Sequence, residues 1–535
     1  MKKSAPDDIS KAMNLDEMAA LKARVAQLEN HTLKLEALVK YYEERLRLNK
    51  HKLFGSSSEK SGQDSDQLSF FNEAEVLADA NVPEPELIEI EKHYRKRTRL
   101  TTDKLPDDLP VEIVEHDLSE DEKLCPECGG DMHVMGRDSR RELVIVPAQV
   151  KIREHVRLVY TCRDCETDEY GTPIVKAALA EPVIKGSFAS PEAIAQIMTQ
   201  KYVMGSPLYR QEQELHRSGI KLSRQTMSNW LLKATEDWLE PIYGMMKEIL
   251  VNREVLHADE TTLQVLHEPD KAAQSKSYMW LYRTSGDTDD PTVLFDYQPD
   301  RKTKRPVEFL KGFKGYLHTD GYEAYHSLGN GIIVVGCWAH ARRKFDEALN
   351  SMPEKERAGS DALRGKQYCD RLFMLERESA NMDRNERYRK RQELSKPVVE
   401  EFFRWVSSIG VLPKSAIGLA RHYVLSQKKY LERYLMDGRL EISNNRAERS
   451  IKPFVIGRKN FLFANTPRGA RASAVMYSII ETAKENGLDP YKYLVYVFQK
   501  APNSDVPNNV NSIEALLPWF VPERLKAIKD SPPSV

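Results

Sequence analysis

The stretch Val255-Leu-His-Ala-Asp-Glu-Thr-Thr-Leu-Gln-Val-Leu266 reads as a β-strand with an acid, Asp259, at its centre. Side chains alternate along a strand, so the neighbouring Glu260 points to the opposite face and is read as peripheral. Downstream, residues 278–282 and 292–296 supply two more strands and 306–313 a short helix. Gly315-Tyr-Leu-His-Thr-Asp320 is a fourth strand ending in an acid, and residues 332–338 are a fifth. Three consecutive strands, a helix and two further strands fit an RNase H-like α/β core. In that arrangement the first and fourth strands are neighbours, which predicts Asp259 beside Asp320.

A third acid for the same place has to come from a helix packed across these strands. Leu440-Glu-Ile-Ser-Asn-Asn-Arg-Ala-Glu448-Arg-Ser-Ile-Lys-Pro453 offers one, capped by Ser443 or Asn444 and limited by Pro453, with Glu448 about one turn inside. Glu441 precedes this helix and is read as peripheral. Three carboxylates in one place suit two Mg²⁺ (or Mn²⁺) ions about 3.5–4 Å apart, which hold the attacking and leaving oxygens of an in-line phosphoryl displacement. Asp259 would bridge the two ions, and Asp320 and Glu448 would each complete one shell.

The remainder of the chain suits a nucleic-acid partner. Leu208 to Leu215, a turn containing Gly219 and Leu222-Ser-Arg-Gln-Thr-Met-Ser-Asn-Trp-Leu231 have the grammar of a helix-turn-helix. Its second helix is capped by Ser223. There Arg224, Gln225 and Ser228 would face a major groove, while Met227, Trp230 and Leu231 pack inward. Cys125-Pro-Glu-Cys128 is followed after 33 residues by Cys162-Arg-Asp-Cys165. Four thiolates on two knuckles fit one structural Zn²⁺ with no open position, a zinc ribbon; redox pairing is the other reading. From Met18 the apolar positions Leu21, Val25, Leu28, Leu35, Val39, Tyr42, Leu46 and Leu53 follow steps of three and four, with Thr32 and Asn49 as polar exceptions. That is a coiled-coil seam, which predicts a homo-oligomer.

The chain has 535 residues, a formal net charge of −1 and six cysteines. The length allows three or more domains, and so few cysteines exclude a disulfide scaffold. No apolar run reaches membrane-spanning or signal-peptide length, so the expected location is the cytoplasm, with no membrane partner. The near-zero charge means that any polyanion must be met by local patches. The leading patch is the stretch holding Arg446, Arg449, Lys452, Arg458, Lys459 and Arg468, beside the third acid.

With these residues assembled, the chain resembles the insertion sequence 66 family of bacterial transposases, specifically their large catalytic subunit. The resemblance runs through Lys52-Leu-Phe-Gly-Ser-Ser-Ser-Glu-Lys60, the two Cys-x-x-Cys pairs, Leu222-Ser-Arg-Gln-Thr-Met-Ser-Asn-Trp230 and His257-Ala-Asp-Glu-Thr261. It continues in His318-Thr-Asp-Gly-Tyr322, Gly336-Cys-Trp-Ala-His-Ala-Arg-Arg-Lys-Phe345, Asn444-Asn-Arg-Ala-Glu-Arg449 and Ile480-Glu-Thr-Ala-Lys-Glu-Asn-Gly-Leu-Asp489. It implies a DDE transposase with Asp259, Asp320 and Glu448 as its triad. Such an enzyme binds the inverted ends of its element in double-stranded DNA, exposes a 3′-hydroxyl and joins it to target DNA. Small accessory proteins of the same element are implied as partners. A structure-specific nuclease of RNase H-like fold and a non-catalytic DNA-binding regulator are the alternatives.

The expected architecture is therefore multidomain α+β. Residues 1–13 are read as a disordered N-terminus, 14–55 as coiled coil, 56–110 as linker, 111–182 as zinc ribbon and 185–250 as the helix-turn-helix region. Residues 251–348 and 437–500 would form the two parts of the RNase H-like core, interrupted by a helical insertion at 349–436, and 501–535 a C-terminal tail.

Overall fold

A computed structural model describes residues 15–54, 150–161, 174–329, 331–506 and 509–525. The chain divides into two compact units, one formed by Ser56–Ala178 and the other by Met1–Gly55 with Leu179–Val535. In the smaller unit, β1 (Val159–Thr161) pairs antiparallel with β2 (Ile174–Lys176), with Tyr160 opposite Val175. Ahead of β1, Ile152 and Val156 are exposed. The linker at 56–110 and the four paired cysteines lie outside the described residues.

The larger unit opens with α1 (Leu15–Phe54), one uninterrupted helix as its seam predicts. Then come α2 (Pro191–Tyr202), α3 (Leu208–Arg217), α4 (Arg224–Ala234) and α5 (Glu240–Val251). A π-helical turn, Thr235–Leu239, joins the last two. Pro241 has no N–H to give the preceding turn, and a wider turn is one way for a helix to absorb that loss.

The sheet follows: β3 (Val255–Gln264), β4 (Lys276–Thr284), β5 (Val293–Gln298), the short α6 (Lys304–Phe309), β6 (Gly315–His318) and β7 (Ile332–Val335). Its order is β5-β4-β3-β6-β7, with β3, β4 and β5 antiparallel and β6 and β7 parallel to β3. The expected first and fourth strands are thus neighbours. Val265 and Leu266, read as the end of the first strand, instead meet the segment around Ala464. Trp338, read as the end of the fifth, begins a helix.

That helix is α7 (Trp338–Asn350), followed by α8 (Glu354–Arg357), α9 (Asp361–Glu378), α10 (Arg384–Lys390), α11 (Lys396–Ser408) and α12 (Ala416–Leu431). They enclose a core of their own around Trp338, Phe345, Phe402 and Phe403. Trp338 Nε1 donates to the Leu431 carbonyl at 2.9 Å, satisfying the polar end of a fully buried ring. The buried Arg391 guanidinium bonds the carbonyls of Tyr434, Asp437 and Leu440 and the Glu376 carboxylate. It thereby ties these helices to the segment that leads back to the sheet.

The chain closes with α13 (Asn445–Phe461), α14 (Pro467–Glu485), α15 (Pro490–Lys500) and α16 (Val510–Glu514). A free sheet edge exposes unpaired backbone groups, and α14 covers the one at β5. Ser478 and Thr482 hydroxyls accept from Phe295 N at 2.7 Å and Val293 N at 3.0 Å. Two expectations change here. Met227, Trp230, Leu250 and the sheet's Leu256 and Tyr282 belong to one core, so the helix-turn-helix region is no separate domain. Ile513 of α16 and Leu516 and Leu517 in the turn after it, placed in a tail, are buried in that core.

Candidate catalytic centre

Parallel pairing sets His257 of β3 level with His318, the last residue of β6; two positions later Asp259 is still in β3, and Asp320 lies in the turn that follows β6. The imidazoles beneath them are fully buried and stack at 4.5 Å with 10° between planes. Burial pulls His257 down to about 3 and His318 well below the usual range, so the pair is neutral. Asp259 is held well above the usual carboxylate range, first by burial and then by the charges of Glu260, Asp320 and Glu448. Asp259, Asp320 and Glu448 therefore share one electrostatic neighbourhood.

Asp320 sits just past the last paired residue of β6 in a tight turn. Its Oδ1 accepts from Tyr322 N at 3.0 Å, and Gly321 takes a positive φ of 92° that a side chain would strain. Helix α12 braces this turn, with Tyr423 Oη donating to the Asp320 carbonyl at 3.1 Å. Glu260 does point to the other face, but it is an anchor rather than a bystander. Arg301 pairs with it, Tyr325 Oη donates to it at 2.5 Å, and Arg301 stacks on the Tyr322 ring at 3.5 Å. Burial, then the charge of Asp320, raises the Glu260 pKa.

Glu448 arrives on α13, whose start is lashed to β3. Asn444 precedes the helix; its side chain bonds His257 and the Ala258 carbonyl instead of capping the helix. Pro453 does not end the helix as expected: α13 runs through it to Phe461. A proline removes one helical hydrogen bond, and here Ile451 and Phe454 on either side are buried, which holds the turn in place. Glu448 Oε2 accepts from Arg343 at 3.4 Å, whereas Oε1 lies 3.7 Å from His340 Nδ1. Glu441 pairs with Arg446 at 2.6 Å.

The proposed DNA contacts divide. Arg224 and Gln225 are exposed and Ser228 half-buried on α4, where Ser223 accepts from Thr226 N at 3.1 Å, while Met227, Trp230 and Leu231 are buried. Arg449 and Lys459 are exposed and Lys452 half-buried on α13. Arg446 is committed to Glu441, and Arg468 pairs with Glu236 while remaining exposed. Arg458 turns inward, with Nη1 3.1 Å from Thr261 Oγ1, because it crosses the end of β3.

Oxygen ligands from three acids fit Mg²⁺, and Glu448 Oε1 has no hydrogen-bond partner among the described residues. The ligand atoms of Cys337, His340 and Glu448 all lie within 4.8 Å of one another. Sequence reasoning missed Tyr423, whose contact is non-local, and Asn444 as a tether. His340 had a signal in the Cys337-Trp-Ala-His340 spacing.

Residues 186–472 match "Transposase IS66 family", 122–166 "zinc-finger binding domain of transposase IS66", 478–519 "IS66 C-terminal element" and 41–114 "Transposase C of IS166 homeodomain". The zinc-finger match spans all four paired cysteines and supports a structural zinc there. The uncharacterized protein y4qI of Sinorhizobium fredii (strain NBRC 101917 / NGR234) is 32% identical over 436 residues, 77% of this chain and 76% of its own. Its counterpart y4hP is 31% identical over 434 residues, 77% and 76% of the two chains. For y4jD the values are 28% over 427 residues, 77% and 81%. With the family match covering more than half of its length and these relatives most of it, the chain belongs to the IS66 family of transposases.

Proposed function

We propose that this transposase is a DDE enzyme with an RNase H-like core, and that Asp259, Asp320 and Glu448 are its catalytic carboxylates. The observation that carries the reading is convergence on one place: β3 holds Asp259, its parallel neighbour β6 leads into the turn of Asp320, α13 brings Glu448, and the charges of both reach Asp259. Two Mg²⁺ ions, when bound, polarise the scissile phosphate and activate water or a 3′-hydroxyl. Asp259, Asp320 and Glu448 would hold the ions, and Arg449 and Lys452 would hold the neighbouring phosphates. Arg224, Gln225 and Ser228 read the element ends in the major groove.

Outside the centre, exposed Leu21, Val25, Leu28, Leu35 and Leu46 along α1 support pairing with a second copy of the chain, as holding two DNA ends requires. Among the described residues no helix is long and apolar enough to cross a membrane, and the working place proposed is the cytoplasm. The test is a strand-transfer assay with Mg²⁺ and a labelled element end, comparing wild type with Asp320→Asn. Joined product from wild type alone is expected. Cleavage without joining points to the nuclease, and DNA binding with neither step points to a regulator.

A further inference from the structure

Cys337 and His340 stand three residues apart where β7 passes into α7, a spacing that puts both side chains on one side of the helix start. The Cys337 sulfur is fully buried and accepts from Asn444 N at 3.2 Å, so it faces the beginning of α13, one turn before Glu448. His340 Nδ1 lies 3.7 Å from Glu448 Oε1. Each of these two atoms is buried without a hydrogen-bond partner among the described residues. Buried polar atoms are normally satisfied, so a matched pair of orphans facing each other marks a place for a third party. The bond that Glu448 accepts from Arg343 is made by the other oxygen, Oε2.

We propose that Cys337, His340 and Glu448 bind a soft divalent cation of the zinc type, at a site that shares Glu448 with the catalytic centre. The donor set decides the class of ion. Sulfur, imidazole and carboxylate are the ligands of Zn²⁺, whereas Mg²⁺ takes oxygen. The spacing agrees. Tetrahedral bonds of about 2.0–2.3 Å put neighbouring ligand atoms about 3.3–3.6 Å apart, close to the 3.7 Å observed between nitrogen and oxygen. The three protein ligands leave a fourth position for water. Binding releases the thiol proton to solvent and leaves no oxidation state changed.

A regulatory consequence follows, and this part rests on the catalytic reading of Glu448. An ion held through Cys337 and His340 engages Glu448 Oε1, so zinc and magnesium compete for one carboxylate. Zinc at this site would keep the enzyme from cutting DNA although Mg²⁺ is in excess.

The test uses the full-length protein and Zn²⁺ alone. Wild type, Cys337→Ser and His340→Ala are dialysed against the same buffered micromolar zinc, and metal content per chain is measured. Wild type should hold one zinc more than either variant, whatever the four paired cysteines contribute to all three. Equal content in the three overturns the site. His340→Ala, at a partly exposed position, guards against misfolding of Cys337→Ser. Mg²⁺-dependent cleavage is then followed with added zinc, each protein normalised to its own zinc-free rate. Inhibition at least tenfold weaker in both variants is expected, and equal inhibition overturns the competition. If wild type cuts no DNA at all, the catalytic reading fails, and the metal count still decides the site.

Discussion

His257 and Asn444 meet at 2.9 Å, Nδ1 to Oδ1, and the same amide donates to the Ala258 carbonyl at 2.8 Å. One side chain thus joins the strand that carries Asp259 to the helix that carries Glu448. Asn444→Ala leaves a buried imidazole nitrogen and a carbonyl unsatisfied, at about 1–3 kcal/mol each. A lower Tm and a cleavage rate reduced more than end binding are expected. Asn444→Asp, which restores the acceptor but not the donor, should recover part of both. Unchanged cleavage in Asn444→Ala would show that the tether does not position the acids.

Asp259→Asn, Asp320→Asn and Glu448→Gln should each lower strand cleavage by about a thousandfold or more. Specific binding to element ends, followed by gel shift, should persist, because on the proposed reading the carboxylates hold metal and other residues meet the bases. A variant that still cleaves removes its residue from the triad.

Arg391 bonds three carbonyls and Glu376 from a fully buried position. Arg391→Met should destabilise the protein by about 3–5 kcal/mol, since it leaves Glu376 without its partner. The measurement is thermal melting; a Tm within a degree of wild type would contradict the role given to the guanidinium.

Lys201 lies over two aromatic rings, 5.0 Å from the centre of Phe461 and 5.3 Å from that of Tyr202, and burial lowers its pKa to about 8. Unfolded, it titrates near 10.4. Between these values the unfolded chain binds the extra proton, so this group's contribution to stability rises as pH climbs from about 8 to 10. Lys201→Met should therefore melt about 2–4 °C above wild type at pH 7, and the gap should narrow by pH 10. A gap independent of pH would assign the effect to packing alone.

Leu28 and Leu35 are exposed on α1, two steps apart along its apolar seam. Replacing both with Glu should convert an oligomer into a monomer in light scattering, while Asp320→Asn should not. If the wild type is already monomeric at micromolar concentration, the seam serves another partner.

The sheet was legible because its signals are local. Alternation around Asp259, the acid ending Gly315-Tyr-Leu-His-Thr-Asp320 and their order along the chain suffice to make the strand of Asp259 and the strand leading to Asp320 neighbours. Glu448 was legible through the polar residues before its helix. The errors came where packing overrules local signals. Pro453 looks like a stop, yet the buried Ile451 and Phe454 carry the helix through it. Ile513 to Leu517 look like a tail because their partners, including α5, are far away in sequence. The brace of Tyr423 on the Asp320 turn joins residues more than a hundred positions apart, and no spacing rule reaches that distance.

The shared core of the helix-turn-helix and the sheet turns the molecule into a gauge. Trp230 on the inner face of α4 and Leu256 on the strand of Asp259 belong to the same buried cluster, so neither element can be shifted without the other. On the proposed reading, the number of base pairs between the sequence recognised and the bond cut is machined into the fold. One added pair shifts the target bond by about 3.4 Å along the DNA axis and turns it by about 35°. An element whose ends drift by a single letter in that interval would be held firmly and left uncut.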